Sequence, residues 1–187
     1  VLQTTRLFRD VGAWYHIVVA VDTTESTATN RIRLYVNGVE ETDFSTDTAP
    51  AEDYDTGVNN TVQQTVGSLS APSGYLDGYL AEVHLIDGSQ LTAASFGETN
   101  SDTGQWIPKA YSGSYGTNGF YLKFQDSSSL GDDSSGNGND FTSNNLAAAD
   151  QMSDSPTNNF WTLNPLDSGA TISDGNLKNG GGRSTNT

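Results

Sequence analysis

Residues 31–36 read Arg-Ile-Arg-Leu-Tyr-Val and then meet Asn37-Gly38. Strict alternation over six residues is the period of a strand with one covered face. Asn-Gly is the pair a type I′ hairpin turn asks for, because both central residues need positive φ. A hairpin returning at Val39 is therefore expected, with Ile32, Leu34 and Val36 toward the core and Arg31, Arg33 and Tyr35 toward solvent. Just upstream, residues 14–21 (WYHIVVAV) are apolar on both alternating sets, the pattern of a strand covered on both faces.

More of the chain follows the same rule. Residues 79–86 (YLAEVHLI) read as a strand closed by Asp87-Gly88, and residues 61–69 as a weaker one. Residues 120–124 (FYLKF) place Phe120, Leu122 and Phe124 on one face. Residues 91–97 read as one helical turn with a glycine stop. No long amphipathic stretch occurs. Residues 42–60 form a polar, acidic excursion with at most one short strand. Residues 111–119 are small and polar, and 126–140 are an oxygen-rich loop. The pattern predicts an all-β fold, a two-sheet antiparallel sandwich over residues 1–146 with one short helical turn. Residues 147–187 are expected to run extended over another surface, anchored by Phe160, Trp161, Leu163 and Leu166 and ending in the flexible Gly180-Gly181-Gly182, or to begin a further β domain.

Composition excludes several classes of function. Lys and Arg total 8 against 23 Asp and Glu, a formal charge of −15. Such a surface repels phosphate backbones and anionic lipid, so no nucleic-acid partner is expected. No window approaches the about 18 apolar residues of a membrane helix, so no membrane insertion is expected. There is no cysteine for a disulfide or thiolate site, and His16 and His84 are the only histidines. The opening VLQTTRLFRD has neither an initiating Met nor an apolar signal core, and reads as a processed product or part of something longer.

Three stretches resemble the laminin-G-like, concanavalin A-like jelly-roll family. Ala13-Trp14-Tyr15-His16-Ile17-Val18 with Leu34-Tyr35-Val36-Asn37-Gly38 is similar to its W-x-H-[IV]-[AV] strand and L-Y-V-N-G hairpin. Residues 76–83, followed by Leu91-Thr92 and Phe96, are similar to its F-x-G-x-[IL]-D-E-[VI] strand and short helix. Residues 120–124 with 133–140 (DSSGNGND) are similar to its first strand and D-x-S-G-N-G-N loop. That third stretch normally opens the domain. Here either a second copy begins near Phe120 or the strand closes the sandwich in permuted order. The front strands expected before Trp14 are not read in the sequence. Residues 169–178 further resemble the opening strand of a SPRY-type sandwich, cut short. The combination, rich in Asn, Gly, Ser and Thr, is similar to virion-associated proteins of marine bacteriophages.

The resemblance implies a structural Ca2+ held by the oxygen-rich loop, with Asp126, Asp133, Asn137, Asn139 and Asp140 as ligands. Ala81 stands where the family supplies a further carboxylate. The bland alternative is that these side chains satisfy backbone donors in tight turns. For sugars, aromatic faces beside hydrogen-bonding groups are the needed chemistry. The candidates are Tyr54, Asp55, Tyr75, Trp106 and Tyr111, with Tyr79 and Tyr115 as further rings. Trp106 reads equally as a plug at the sandwich edge, while Trp14, Phe120 and Phe124 read as core. The acidic run 52–55, with Asp43 and Asp47, reads as a solvated loop or a site lining. His16 and His84 lie inside strand patterns and read as structural.

No E-x-D-x-x-E run occurs, nor G-x-S-x-G, nor a phosphate loop, so no enzyme is expected. The expected role is a non-catalytic recognition or adhesion module on a virion or other extracellular particle. Its partners would be host surface glycans or neighbouring virion subunits in a homo-oligomer or multimeric assembly. The alternatives are a purely architectural virion or filament subunit, and a cellular adhesin or exoprotein.

Overall fold

The computed structural model describes residues 1–70, 73–158, 163 and 171–180. Thirteen short strands make up the regular structure. They are β1 Leu2–Thr4, β2 Ile17–Val21, β3 Ile32–Val36, β4 Val39–Glu40, β5 Phe44–Asp47, β6 Ser68–Ser70 and β7 Ser73–Tyr75. β8 Val83–Leu85, β9 Gly97–Thr99, β10 Trp106–Pro108, β11 Phe120–Leu122, β12 Ile172–Ser173 and β13 Lys178–Asn179 complete the set. Among the described residues helix is confined to single 3-10 turns at Ala28–Asn30, Ala93–Ser95 and Ala148–Asp150. The fold is all-β and antiparallel, of the jelly-roll class, with the turn at Ala93–Ser95 falling inside the 91–97 segment expected to be helical.

β2, β3 and β4 form the one three-stranded sheet among the described residues; the other pairings are β1–β5, β6–β7, β8–β11, β9–β10 and β12–β13. The hairpin turn at Asn37-Gly38 forms as its sequence demands, with φ of 49° and 83°. Asn37 also closes the turn from outside, its Oδ1 accepting the His16 N–H at 2.8 Å. β8 and β11 pair Leu85 with Phe120, His84 with Tyr121 and Val83 with Leu122. Residues 120–122 thus pair with the strand from the second resembling stretch.

Several expectations change. A strand does stand in front of Trp14, since β1 pairs with β5. Residues 61–69 contribute only the start of β6, and a hairpin not foreseen from the sequence, β9–β10, follows the helical turn. Residues 79–82 are not strand: Glu82 adopts φ 52°, which breaks the extended run just before Val83. At the same end of the ladder Phe124 turns out of the strand line at φ 55°. Such angles are rare for large side chains and end strand pairing.

The faces of the first hairpin are also rearranged. Tyr35, expected outside, is buried in a cluster with Ala20 and Ala93, against Val18 and Trp106. Ile17, Val19 and Val21 keep 47%, 59% and 41% of their surface exposed. Val36 is buried as expected, so alternation shows that β3 has two faces but not that both are covered there. Here the 3-10 turn at Ala93 and the Trp106 indole cover the tyrosine side. A Cβ at Gly38 or Gly97 would overlap that indole, so only glycine lets both strands approach it. Phe120, Leu122 and Leu130 are buried as well, and Phe141 lies edge-on to Phe120 at 4.7 Å.

The described part of the C-terminal segment lies on its own chain. The Trp14 indole N–H donates to Asp154 at 3.0 Å, so Trp14 is half-buried beside the tail rather than in the core. Gln151 donates to the Phe124 and Gln125 carbonyls, both at 2.8 Å. Phe160, Trp161, Leu166 and residues 181–182 lie outside the described residues, as do residues 169–170 of the SPRY-like stretch; the rest of that stretch forms the β12–β13 hairpin.

Candidate functional site

The outer face of the β8–β11 ladder gathers most of the chemistry. Phe120, Leu122, Val83 and Leu85 occupy the inner face, which by pleat alternation leaves His84 and Tyr121 on the other, with Glu82 and Lys123 reaching Tyr121 from one end of the ladder. The His84 and Tyr121 rings stack at 4.1 Å and 13°. Tyr115 lies parallel to both and its hydroxyl meets His84 Nδ1 at 3.0 Å. Phe96 touches His84 at 5.4 Å and Tyr111 at 5.1 Å, and Tyr111 meets Tyr115 edge-on at 5.2 Å. The Lys123 ammonium stands 5.2 Å from the centre of the Tyr121 ring. All five rings are half-buried, so their edges reach the surface.

Electrostatics follow from that packing. Burial, with the neighbouring His16 charge second, drives the His84 pKa down to about 4, so the imidazole is neutral at pH 7. Burial raises Tyr121 to about 12, helped by the charges of Glu82 and Tyr115 and by the bond between the Tyr121 and Glu82 side chains. Burial likewise raises Tyr115 to about 12, followed by Tyr111, Asp133 and Glu82. At neutral pH the platform is a set of uncharged rings flanked by carboxylates. Beside it Asp87 accepts the Asn118 N–H at 3.0 Å and the Asn59 amide at 2.7 Å. These two bonds, in that order, hold its carboxyl below the ordinary range.

The proposed sugar residues fall into different surroundings. Tyr111 is part of the ring array. Tyr54 is exposed in the acidic loop, where Asp55 accepts the Asn60 amide at 3.1 Å. Tyr75 is 69% exposed and lines an open groove of about 500 Å3 with Val66, Leu69, Leu76 and Leu80. Trp106 is the edge plug: its indole N–H donates to His16 Nδ1 at 3.0 Å, which requires the Nε2–H tautomer of a neutral His16. Burial lowers the His16 pKa accordingly. His84, Tyr121 and Phe96 were absent from the sequence-based sugar set. The sequence marked His84 only as a structural strand residue, and its partner strand was not readable.

The oxygen-rich loop is closed on itself. Asp133 accepts four hydrogen bonds, from the N–H groups of Tyr121, Ser135 and Asn139 and from the Ser135 hydroxyl, at 2.8–3.0 Å. Burial pushes its pKa up, but these bonds outweigh it and the net shift is downward. Asp140 accepts the Asp133 N–H at 2.8 Å. Asn137 and Asn139 turn their NH2 groups, not their oxygens, toward the 116–119 backbone. Asp126 caps its own turn, accepting the Ser128 hydroxyl and N–H, which lower its pKa. All five proposed calcium ligands therefore share one loop, but the three aspartates accept protein N–H and O–H groups and the two asparagines turn nitrogens toward carbonyls. As arranged, the set does not fit a Ca2+ ion, which needs oxygens turned inward.

The all-β antiparallel fold defines the class as a concanavalin A-like β domain. A family model described as the concanavalin A-like lectin/glucanases superfamily, Laminin_G_3, matches residues 1–96 of the 187, and the chain belongs to that superfamily. The matched part ends at Phe96; β11 and the oxygen-rich loop lie beyond it and join it through the β8–β11 ladder. Neither the curated proteins nor the solved structures contain a match.

Proposed function

We propose that the chain is a non-catalytic recognition module that binds carbohydrate on the outer face of the β8–β11 ladder. The observation carrying this reading is the continuous array Phe96, Tyr111, Tyr115, His84 and Tyr121 beside Asp87, Asn59 and Asn118. Ring edges suit the apolar C–H faces of a sugar, and the carboxylate and amides suit its hydroxyls. Glu82, Asp87 and Asp133 around the rings, together with a net charge of −15, favour neutral sugars over uronates, sulfates or sialic acids. The superfamily description covers lectins and glucanases alike. The lectin side is favoured because the E-x-D-x-x-E arrangement of two carboxylates is missing from the sequence.

Shallow half-buried rings bind weakly one at a time, so useful affinity comes from multivalent display. That requirement, with the Asn-, Gly-, Ser- and Thr-rich texture, supports a place on an extracellular particle such as a phage fibre or surface decoration, facing host glycans. A glycan array probed with the multivalently displayed chain tests the site. Neutral oligosaccharides should bind, and Tyr111→Ala should abolish the signal while Tyr75→Ala leaves it. Silence across a broad panel, or equal loss from both variants, would defeat the reading.

A further inference from the structure

The tip of the oxygen-rich loop faces three main-chain carbonyls of the 116–119 segment. Asn137 Nδ2 donates to Gly116 O at 2.7 Å and to Gly119 O at 2.8 Å. Asn139 Nδ2 donates to Thr117 O at 3.1 Å and to Gly119 O at 2.9 Å. Both N–H bonds of each amide are thereby used, and both lone pairs of Gly119 O are filled. Carbonyls only accept, so a convergence of three can be balanced in two ways: by N–H groups or by a cation. A cation would require both amides to rotate their oxygens inward, forfeiting four hydrogen bonds. It would also have to draw on Asp133, whose four bonds to protein donors would be lost. Among the described residues no group of three or more His, Asp or Glu side chains is placed to hold a metal.

We propose that the Asn137 and Asn139 carboxamides stand in for the calcium ion that loops of this kind suggest. They cross-link residues 133–140 to residues 115–119 and make the fold independent of divalent metal. The clamp reaches the ring platform directly. Gly119 has no room for a Cβ against the Tyr115 and Leu85 carbonyls, so the 115–119 segment is packed tightly where the amides grip it. Tyr115 is held from the other side, its carbonyl accepting the Asp87 N–H at 2.9 Å. Asn137 and Asn139 are thus positioning residues for Tyr115. That last consequence rests on the carbohydrate reading, whereas the clamp itself does not.

The test is thermal unfolding of the full chain after treatment with chelator, with and without added CaCl2, alongside elemental analysis of the protein as purified. The melting temperature should be the same in chelator and in calcium, and no stoichiometric metal should be found. An ion present at about a hundred times its dissociation constant would instead raise Tm by about 5–10 °C. Such a rise, or one bound calcium per chain, would overturn the proposal. Asn139→Asp places a carboxylate against the carbonyls; it should lower Tm in chelator by several degrees and recover part of the loss in calcium. Asn137→Ser, a milder change, should lower Tm less and show no calcium response. Unchanged Tm in both variants would also overturn it. A glycan array run in chelator separates the two readings: if no sugar binds while Tm and metal content behave as stated, the recognition reading fails and the clamp stands.

Discussion

Two acid-rich loops are held in opposite ways. The 42–60 excursion is fastened by a cation of the chain itself. Arg31, only 8% exposed, donates to the carbonyls of Glu25, Ser26 and Pro50 and to the Glu52 carboxylate at 2.7–3.2 Å. The 126–140 loop contains no Lys or Arg, and is fastened by amides, hydroxyls and backbone N–H groups. With 8 basic residues against 23 acidic ones, cations are scarce. One buried guanidinium, whose planar fork satisfies several carbonyls together, can organise a long loop. Where none is available, Asn and Ser supply neutral donors at short range and glycines allow the close approach.

The comparison breaks most readily at Arg31. Arg31→Ala strips donors from three carbonyls and should cost about 3 kcal/mol in urea unfolding. Arg31→Lys keeps the charge without the fork and should recover less than half of that. A loss near zero would mean that the excursion is held by something other than the guanidinium.

The corresponding change in the second loop is smaller because the loop faces solvent. Asp133→Asn should cost about 1.5 kcal/mol, since an amide cannot accept all four bonds. It should also alter the acid limb. The folded carboxyl lies below its ordinary 3.8, so its contribution is complete above that value and is lost as pH falls below it through the folded pKa. The variant should lack that part of the fall; an unaltered acid limb would place the loop's stability elsewhere.

A third measurement sharpens the role of the ring platform. His84 is neutral in the fold with a pKa near 4, against an ordinary 6.5. Protonation favours the unfolded chain, so stability is full above 6.5 and declines as pH falls from there toward about 4. His84→Gln should flatten much of that decline, leaving the part due to His16, whose pKa is also lowered. An identical slope in the variant would show that the imidazole is not shielded by Tyr121, Tyr115 and Phe96.

The smallest effect is expected at Glu52, whose side chain is 54% exposed beside Arg31. Glu52→Gln should change stability by only about 0.5 kcal/mol, less at high salt. A much larger loss would make the ion pair, rather than the Pro50 carbonyl, the fastening of the first loop.

Local chemistry made part of this molecule readable in advance. Asn37-Gly38 declared a hairpin because few other pairs tolerate two positive φ values in sequence. The alternation of residues 31–36 and the compact 120–124 run declared strands, the second of them two residues too long, and the lack of long amphipathic stretches declared the all-β class. Glu82 and Phe124 hid one end of the β8–β11 ladder, since nothing in their chemistry announces positive φ. Tyr111 was visible as a ring; that Phe96 and Tyr115 would meet it was not.

Sequence alone determined the class of fold, the first hairpin and the type of each loop, because those depend on backbone preferences and on neighbours one to four residues away. Tertiary structure alone decided that Tyr35 faces inward, that Arg31 becomes the hub of the acidic excursion and that His84 stacks on Tyr121. It also decided that Asn137 and Asn139 present nitrogens rather than oxygens to the 116–119 carbonyls. Each of those outcomes depends on which distant segment arrives opposite a given side chain, and a side chain's burial, charge state and hydrogen-bonding role are set by that partner.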